Sequence, residues 1–291
     1  MTTFPNLSEG APAVHALEYL NPQYRDLQAV ATAFKLAYKS ADPFPNIAFQ
    51  DFFNPAVLDA VLDEFPDLES KDNIKYHTPN EVKLASRSER RFGHLTKAFV
   101  HFLNSEPFLL FLQELTSIEE TLLPDPYFEG GGFHQTQPGG FLKIHADFNK
   151  HRLTGLDRRL NVLIYLNKDW KDEYGGHFEL WDRDMARCAK KVAPHFNTMA
   201  LFTTTDFSYH GLPNPLTCPP DRSRKSLALY YYSNGRPASE INPGLEDHTT
   251  IFKDRKGDTT DAGMRKFNAL QSAKVFVKEF IPPIVTKMMK R

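Results

Sequence analysis

The sequence predicts a mainly β core of the sandwich or jelly-roll type, flanked by N- and C-terminal α-helices. Between residues 121 and 235, short apolar runs alternate with turn signals such as Gly130-Gly131-Gly132 and Pro138-Gly139-Gly140. This alternation is typical of an all-β sandwich or jelly roll. On both sides of the core, apolar residues recur at helical spacing. Helices placed in this way are expected to cover the outer face of one sheet.

The first 120 residues are predicted to comprise a flexible arm, residues 1–20, and a mainly helical layer, residues 21–120. The clearest helix start is Asn54-Pro55, because asparagine can cap a helix and proline suits its first position. The polar stretch 70–83 predicts a loop. The other predicted elements of this layer are helices at 24–38, 55–65, 88–103 and 106–115 and a strand at 44–53.

The core, residues 121–235, is predicted to hold six strands, of which 159–166 is the clearest. Arg158-Arg159 is interpreted as a solvated end of that strand. Residues 236–291 are predicted to form a helical extension packed on the core, because apolar residues recur at helical spacing from Phe267 to Phe280. The remaining predicted strands are 127–133, 140–146, 177–181, 198–202 and 226–232.

The composition predicts a soluble cytoplasmic protein. The chain has 291 residues and a formal net charge of −1, so we expect no general attraction to nucleic acid. Met1 to Gly10 lacks the features of a signal peptide, and no apolar run is long enough for a membrane span. Cys188 and Cys218 are too few for a disulfide framework, which favours a reducing compartment.

Three residues form a candidate metal site. His145 and Asp147 are two positions apart near a strand end, so both side chains can reach one ion. His210 is expected to complete the set from a strand facing the first across the barrel mouth. Two imidazoles and one carboxylate bind one face of ferrous iron and leave the opposite positions open. The expected metal-ligating and catalytic residues are therefore His145, Asp147 and His210.

Arg224 is a candidate anchor for a dicarboxylate cosubstrate. It opens the strand after His210, and its planar fork suits bidentate pairing with a carboxylate. Ser226 lies two positions further on and shares its face, so it could add a hydroxyl. Arg222 and Lys225 remain rivals for the anchor. Together with the metal site, this arrangement suggests an oxygenase that uses iron and 2-oxoglutarate.

The core of the chain also resembles a known protein family. The segment from Phe128 to Ser233 resembles the iron(II)- and 2-oxoglutarate-dependent dioxygenases, within them the prolyl-hydroxylase-like branch. The residues that carry the resemblance are His145-Ala146-Asp147, the tract Tyr165-Leu166-Asn167-Lys168-Asp169-Trp170, Gly175-Gly176, His210 and Arg224.

The resemblance implies a double-stranded β-helix and metal ligation by the same three residues. It also implies that Arg224 binds 2-oxoglutarate and that Tyr165 helps to hold it. The implied cofactors are Fe(II), 2-oxoglutarate and O2, with ascorbate as a possible addition. Related halogenases have glycine or alanine at the carboxylate position, so Asp147 favours hydroxylation.

Several alternatives stay open. The substrate could be a peptidyl proline, an amino acid, a glycan or a natural-product intermediate, and the helical flanks could form a lid or a homodimer surface. The runner-up functions are a cupin-like metal-dependent isomerase or hydrolase and a non-catalytic binding module. The histidines that compete for the ligand role are His134, His151, His177 and His195, of which His134 and His177 are interpreted as structural.

Overall fold

The computed structural model describes residues 16–243, 245 and 247–255. The four helices are α1 Leu27–Lys39, α2 Pro55–Asp63, α3 His94–Leu103 and α4 Glu106–Thr116. The strands are β1 Asn46–Gln50, β2 Ile74–Thr78, β3 Glu81–Ala85, β4 Leu123–Pro124, β5 Gly132–Thr136, β6 Phe141–Ala146, β7 Asp157–Tyr165, β8 Phe178–Trp181, β9 Cys188–Val192, β10 Thr198–Thr203, β11 His210–Leu212, β12 Arg224–Ser233 and β13 Ile251–Phe252. No helix in these ranges is long and apolar enough to cross a bilayer.

The strands form one antiparallel sheet that curls into a nearly closed, jelly-roll-like barrel. Hydrogen-bonded neighbours follow the order β1-β10-β7-β12-β5-β3-β6-β11-β8-β9, while β13 pairs with β6. The predicted β core with flanking N-terminal helices is confirmed. The C-terminal helix predicted around residues 267–280 lies outside the described residues, as do residues 1–15 of the predicted arm.

The helices cover the outer face of the sheet, as predicted. One continuous apolar core joins residues of α1 to α4 with the outward side chains of β7, among them Leu160, Val162 and Ile164. The alternate positions of β7, Asn161 and Tyr165, are also buried but belong to the inner face of the barrel. Burial of both faces explains why this strand reads as an almost continuous apolar run.

The N-terminal layer contains more strand than the sequence predicted. Residues 70–83 were expected to form a loop, but β2 and β3 form a hairpin there with Tyr76 opposite Lys83. The prediction was wrong because β2 exposes Lys75 and His77 and has little apolar character. Strand β3 then pairs with both β5 and β6, so this hairpin is part of the barrel wall.

Arg158 and Arg159 do not lie at a solvated strand end, as the sequence suggested, because each side chain is only 1% exposed. Arg159 faces outward, where its Nη1 lies 2.7 Å from Oε2 of Glu120 and its Nε lies 3.2 Å from Oε2 of Glu240. The segment that follows β12 thus covers Arg159. The prediction was wrong because the sequence around these arginines does not indicate that a distant segment, which contains Glu240, covers Arg159.

The N-terminus of α3 is capped by a side chain from another part of the chain. Its N-cap residue, Gly93, has no side chain, and Glu64 takes over the role. The Glu64 carboxylate accepts hydrogen bonds from the backbone nitrogens of Leu95 and Thr96, at 3.1 and 2.8 Å, and from Oγ1 of Thr96 at 2.6 Å. Burial alone would raise the pKa of Glu64, but these hydrogen bonds outweigh it and hold the pKa below its usual value.

Replacing Glu64 with glutamine should lower the free energy of unfolding by about 1 kcal/mol at neutral pH, as lost capping interactions do. Because the folded-state pKa is lowered, the charge contributes stability above the unfolded pKa, and this contribution disappears as the pH falls through the folded pKa. The difference between the two proteins in urea unfolding should therefore shrink in acid. Glu119→Gln, at an exposed position, should change little at either pH. A Glu64 effect that is equal at both pH values would contradict this account.

Candidate metal centre

The two histidines of the candidate site lie side by side on neighbouring strands. His145 is near the end of β6, and His210, the first residue of β11, pairs directly with it. The sequence had suggested strands facing each other across the barrel mouth, which was wrong. The register shifts between His210 and Leu212, where Leu212 pairs with Leu142. Because residues directly opposite each other in an antiparallel pair lie on the same face, both imidazoles point to one side of the sheet.

The side chains of His145, Asp147 and His210 converge. Their candidate ligand atoms all lie within 4.8 Å of one another. Nε2 of His145 is 3.5 Å from Oδ1 of Asp147, and Nε2 of His210 is 3.3 Å from Oδ2. The two Nδ1 atoms lie 2.8 and 2.7 Å from the carbonyl oxygens of Lys143 and Ser208. Each Nδ1 therefore donates to the backbone, which leaves both Nε2 lone pairs for a metal.

The protonation states suit cation binding. Burial lowers the pKa of His210, although Asp147 opposes this effect, so the imidazole is neutral and can act as a ligand. Burial alone would raise the pKa of Asp147. The positive charge of Arg158 and contacts with the two histidines instead hold this pKa well below its usual value. A largely buried carboxylate beside two imidazoles fits a divalent ion such as ferrous iron.

Arg224 lies at the start of β12 and is only 6% exposed. Its Nε donates to the carbonyl of Gly176 at 2.8 Å, and its Nη2 donates to the hydroxyl of Tyr165 at 3.2 Å. A Cβ on Gly176 would lie 3.0 Å from Cδ of Arg224, so glycine allows this close approach. Within the described ranges, Arg224 forms no ion pair with a carboxylate. A buried cation without a counter-ion is costly, so the site suits an anionic ligand.

Tyr165 and Ser226 lie beside Arg224 on the inner face of the barrel. They pair across β7 and β12, and both are buried. Burial raises the pKa of Tyr165, with Arg224 opposing it, so the tyrosine keeps its proton. The rival anchors lie elsewhere. Arg222 donates from Nη1 to the carbonyl of Lys168 at 3.0 Å, and Lys225, the next residue after Arg224, points to the opposite face of the strand.

His134 is on β5 and faces the same interior. Its Nε2 lies 2.9 Å from the carbonyl oxygen of Gly130. Burial, together with the positive charges of Lys83, Arg224 and Arg158, lowers the pKa of His134 to about 3. This histidine is therefore neutral and already hydrogen-bonded, which fits the structural role expected for it.

The other competing histidines also have partners. Nε2 of His151 lies 3.3 Å from Oδ1 of Asp125, and Nε2 of His177 lies 3.5 Å from Oδ1 of Asp172. The backbone of His195 forms an isolated parallel bridge with that of Asn167. In the part of the chain that the structure describes, none of them joins a cluster of three possible metal ligands.

Two residues beside the site were not predicted from the sequence. Arg158 and Asn161, both on β7, bind the carboxylate of Asp147 at 3.0 and 2.7 Å. The sequence did contain a signal for Asn161, because this polar residue interrupts the most apolar strand of the core. A polar side chain at an interior position needs a hydrogen-bonding partner.

Comparisons with known proteins agree with this geometry. Residues 131–232 match the sequence profile of the 2OG-Fe(II) oxygenase superfamily. No curated protein matches the sequence. A solved prolyl-4-hydroxylase from Pseudomonas putida is 13% identical, with a TM-score of 0.52 over 70% of this chain and 100% of that one.

A prolyl hydroxylase from Trichoplax adhaerens is also similar. It was solved with a peptide fragment of the hypoxia inducible factor oxygen degradation domain, and it is 15% identical, with a TM-score of 0.53 over 72% of this chain and 92% of that one. At such identities, the likeness shows the fold alone. Residues 131–232 thus match the model of the 2OG-Fe(II) oxygenase superfamily, and the fold is like that of the prolyl hydroxylases.

Proposed function

We propose that this protein hydroxylates an unactivated C–H bond of a peptide or small-molecule substrate, with 2-oxoglutarate and O2 as cosubstrates. His145, Asp147 and His210 would hold Fe(II). Arg224, supported by Tyr165, would bind the distal carboxylate of 2-oxoglutarate. The superfamily is one of oxygenases that use these two groups.

One observation carries the proposal: the same barrel interior presents a three-residue ligand set and a buried guanidinium without a carboxylate partner in the described ranges. A metal site alone would suit a hydrolase or an isomerase. The guanidinium adds the requirement for an anion, which a dicarboxylate cosubstrate meets.

The residues of this chain have separable tasks in that reaction. The backbone bonds at Nδ1 orient the imidazoles, and the hydrogen bonds of Arg224 to Gly176 and Tyr165 orient its fork. The low exposure of His145, His210 and Arg224 keeps water away from the reacting groups. Bound iron supplies the oxidising chemistry by which R–H, O2 and 2-oxoglutarate become R–OH, succinate and CO2.

The proposal is tested by adding 2-oxoglutarate to the iron-loaded full chain without oxygen. A visible absorption band should appear, and it should be absent when zinc replaces iron. With oxygen, succinate should form, and candidate substrates that are turned over should accelerate its release. His210→Ala should abolish the band, whereas His101→Ala, on α3 at an exposed position, should leave it unchanged. A chain that binds zinc and gives no band with iron would favour a hydrolase or an isomerase.

The peptide complex of the Trichoplax adhaerens protein makes proline-containing peptides a reasonable first panel for that screen. Free amino acids, glycans and natural-product intermediates form the other panels. A substrate is identified when succinate release rises and the substrate gains one oxygen atom. Mass spectrometry of the product then gives the position of the new hydroxyl.

A further inference from the structure

Arg158 is enclosed beside the candidate metal centre. Its side chain is 1% exposed, and the carbon of its guanidinium lies 4.4 Å from the ring centre of Phe148 and 3.5 Å from that of Tyr230. A guanidinium enclosed by two aromatic rings has a fixed plane and a fixed direction. That direction brings its Nη2 to 3.0 Å from Oδ2 of Asp147.

Asn161, three positions further along β7, connects the same groups. Its Nδ2 donates to Oδ2 of Asp147 at 2.7 Å. Its Oδ1 accepts from Nε and Nη2 of Arg158, at 2.9 and 2.7 Å, and from Oγ1 of Thr204 at 3.2 Å. Oδ2 of Asp147 therefore receives two donors from one strand, and these donors also fix each other.

This arrangement treats the two carboxylate oxygens differently. Oδ2 lies 3.3 Å from Nε2 of His210 but already accepts from two donors on β7, whereas Oδ1 faces Nε2 of His145 at 3.5 Å and accepts from neither of them. A carboxylate can bind a metal through one oxygen or through both. With two imidazoles, one-oxygen binding leaves three of the six positions of an octahedral ion open, and two-oxygen binding leaves only two. A chelating cosubstrate and one further ligand need three.

We propose that Arg158 and Asn161 are positioning residues that hold Oδ2 of Asp147 and present Oδ1 alone to the metal. This inference rests on the proposed function, because it presupposes that the site binds a metal. Neither residue touches the ion in this arrangement. They act through the orientation of Asp147.

The direction in which metal affinity changes when Arg158 is replaced distinguishes a positioning role from a simple effect of its charge. The positive charge of Arg158 repels a cation, so removal of that charge alone should tighten metal binding. If Arg158 positions the carboxylate, its removal should instead weaken metal binding, since loss of a partner that orients a ligand typically weakens it about 10- to 100-fold.

The test is a titration of the metal-free full chain with Co(II), whose visible spectrum reports coordination. Arg158→Gln should weaken cobalt binding about 10- to 100-fold and change the spectrum. Asn161→Ala, which keeps both members of the ion pair between Arg158 and Asp147, should also weaken cobalt binding. This second variant therefore tests the inference if Arg158→Gln does not fold. The double variant should lose less than the product of the single losses, because both side chains act on one oxygen.

Arg159→Lys is the matched control. Arg159 is the adjacent residue and is equally buried, but it pairs with Glu120 and Glu240 on the outer face. Its replacement should leave cobalt affinity and the spectrum unchanged. Cobalt binding by Arg158→Gln that equals or exceeds that of the wild type would overturn the inference, as would an equal loss in Arg159→Lys. A wild-type chain that binds no cobalt would remove the proposed function as well, whereas failure at Arg158 alone leaves that function intact.

Discussion

Replacing Asp147 with alanine is expected to lower metal affinity and succinate formation at least about a hundredfold. Loss of a residue that only orients a metal ligand already costs about 10- to 100-fold, and loss of the ligand itself should cost no less. Asp147 is the acidic member of the only three-residue cluster of possible metal ligands found in the described ranges. Metal titration of the purified full chain measures this effect independently of the unknown substrate.

The same substitution should also destabilise the metal-free fold. Asp147 is the ion-pair partner of Arg158, so the alanine variant leaves a guanidinium buried without a counter-ion. Breaking a buried pair from one side typically costs about 3–5 kcal/mol. Asp147→Asn, which keeps the size of the side chain, helps to separate the two effects, because it should lose metal affinity with a smaller loss of packing.

Asp184→Ala serves as the surface control for both measurements, since Asp184 is exposed in the turn after β8. It should bind metal and unfold as the wild type does. Retention of wild-type metal affinity in both Asp147 variants would refute the ligand assignment. A loss of affinity that is equally large in Asp184→Ala would show that the assay reports something other than this site.

The elements that could be predicted are those whose local pattern matches their tertiary role. Helix α2 begins at Pro55 with Asn54 accepting from the backbone nitrogen of Ala56, as the sequence indicated. Strand β7 was recognisable because both of its faces are buried, so its apolar run is nearly unbroken. In each case the signal lies within a few consecutive residues.

The features that could not be predicted depend on partners far away in the sequence. The hairpin of β2 and β3 lacks an apolar face of its own, and β3 becomes a barrel strand only through β5 and β6. Arg158 is buried because Phe148, Tyr230 and Asp147 enclose it, and no window around residue 158 contains that information.

For the candidate site, too, local features could be predicted from the sequence and the spatial arrangement could not. The types and order of His145, Asp147 and His210 were readable as a ligand set, because few chemistries use those residues together. Their arrangement on adjacent strands was not readable, since spacing along the chain does not determine strand order. The choice of Arg224 over Arg222 followed from the alternation of side chains in one strand, and the role of Arg224 as the anchor stays a prediction.

Replacing Arg224 with alanine is expected to raise the apparent requirement for 2-oxoglutarate at least about thirtyfold. Truncation of a buried, hydrogen-bonded charge pair costs at least about 2 kcal/mol, and about 1.4 kcal/mol corresponds to a factor of ten. Metal affinity should change little, because the substitution leaves His145, Asp147 and His210 in place. The apparent 2-oxoglutarate requirement of Arg224→Lys should lie between those of the wild type and Arg224→Ala, because lysine keeps the charge and lacks the planar guanidinium.

Thermal unfolding gives a second readout that needs no turnover. A ligand that binds only the folded chain stabilises it by about 2.7 kcal/mol at a hundred times its dissociation constant. The iron-loaded wild type should gain this protection from 2-oxoglutarate without oxygen, and Arg224→Ala should lose it. Arg222→Ala should retain the protection, because Arg222 bonds to the carbonyl of Lys168 instead. Protection that survives in Arg224→Ala and disappears in Arg222→Ala would move the anchor to Arg222. Because Arg224→Ala also removes the hydrogen bonds to the Gly176 carbonyl and the Tyr165 hydroxyl, the protection of each variant is measured against its own unfolding temperature without ligand.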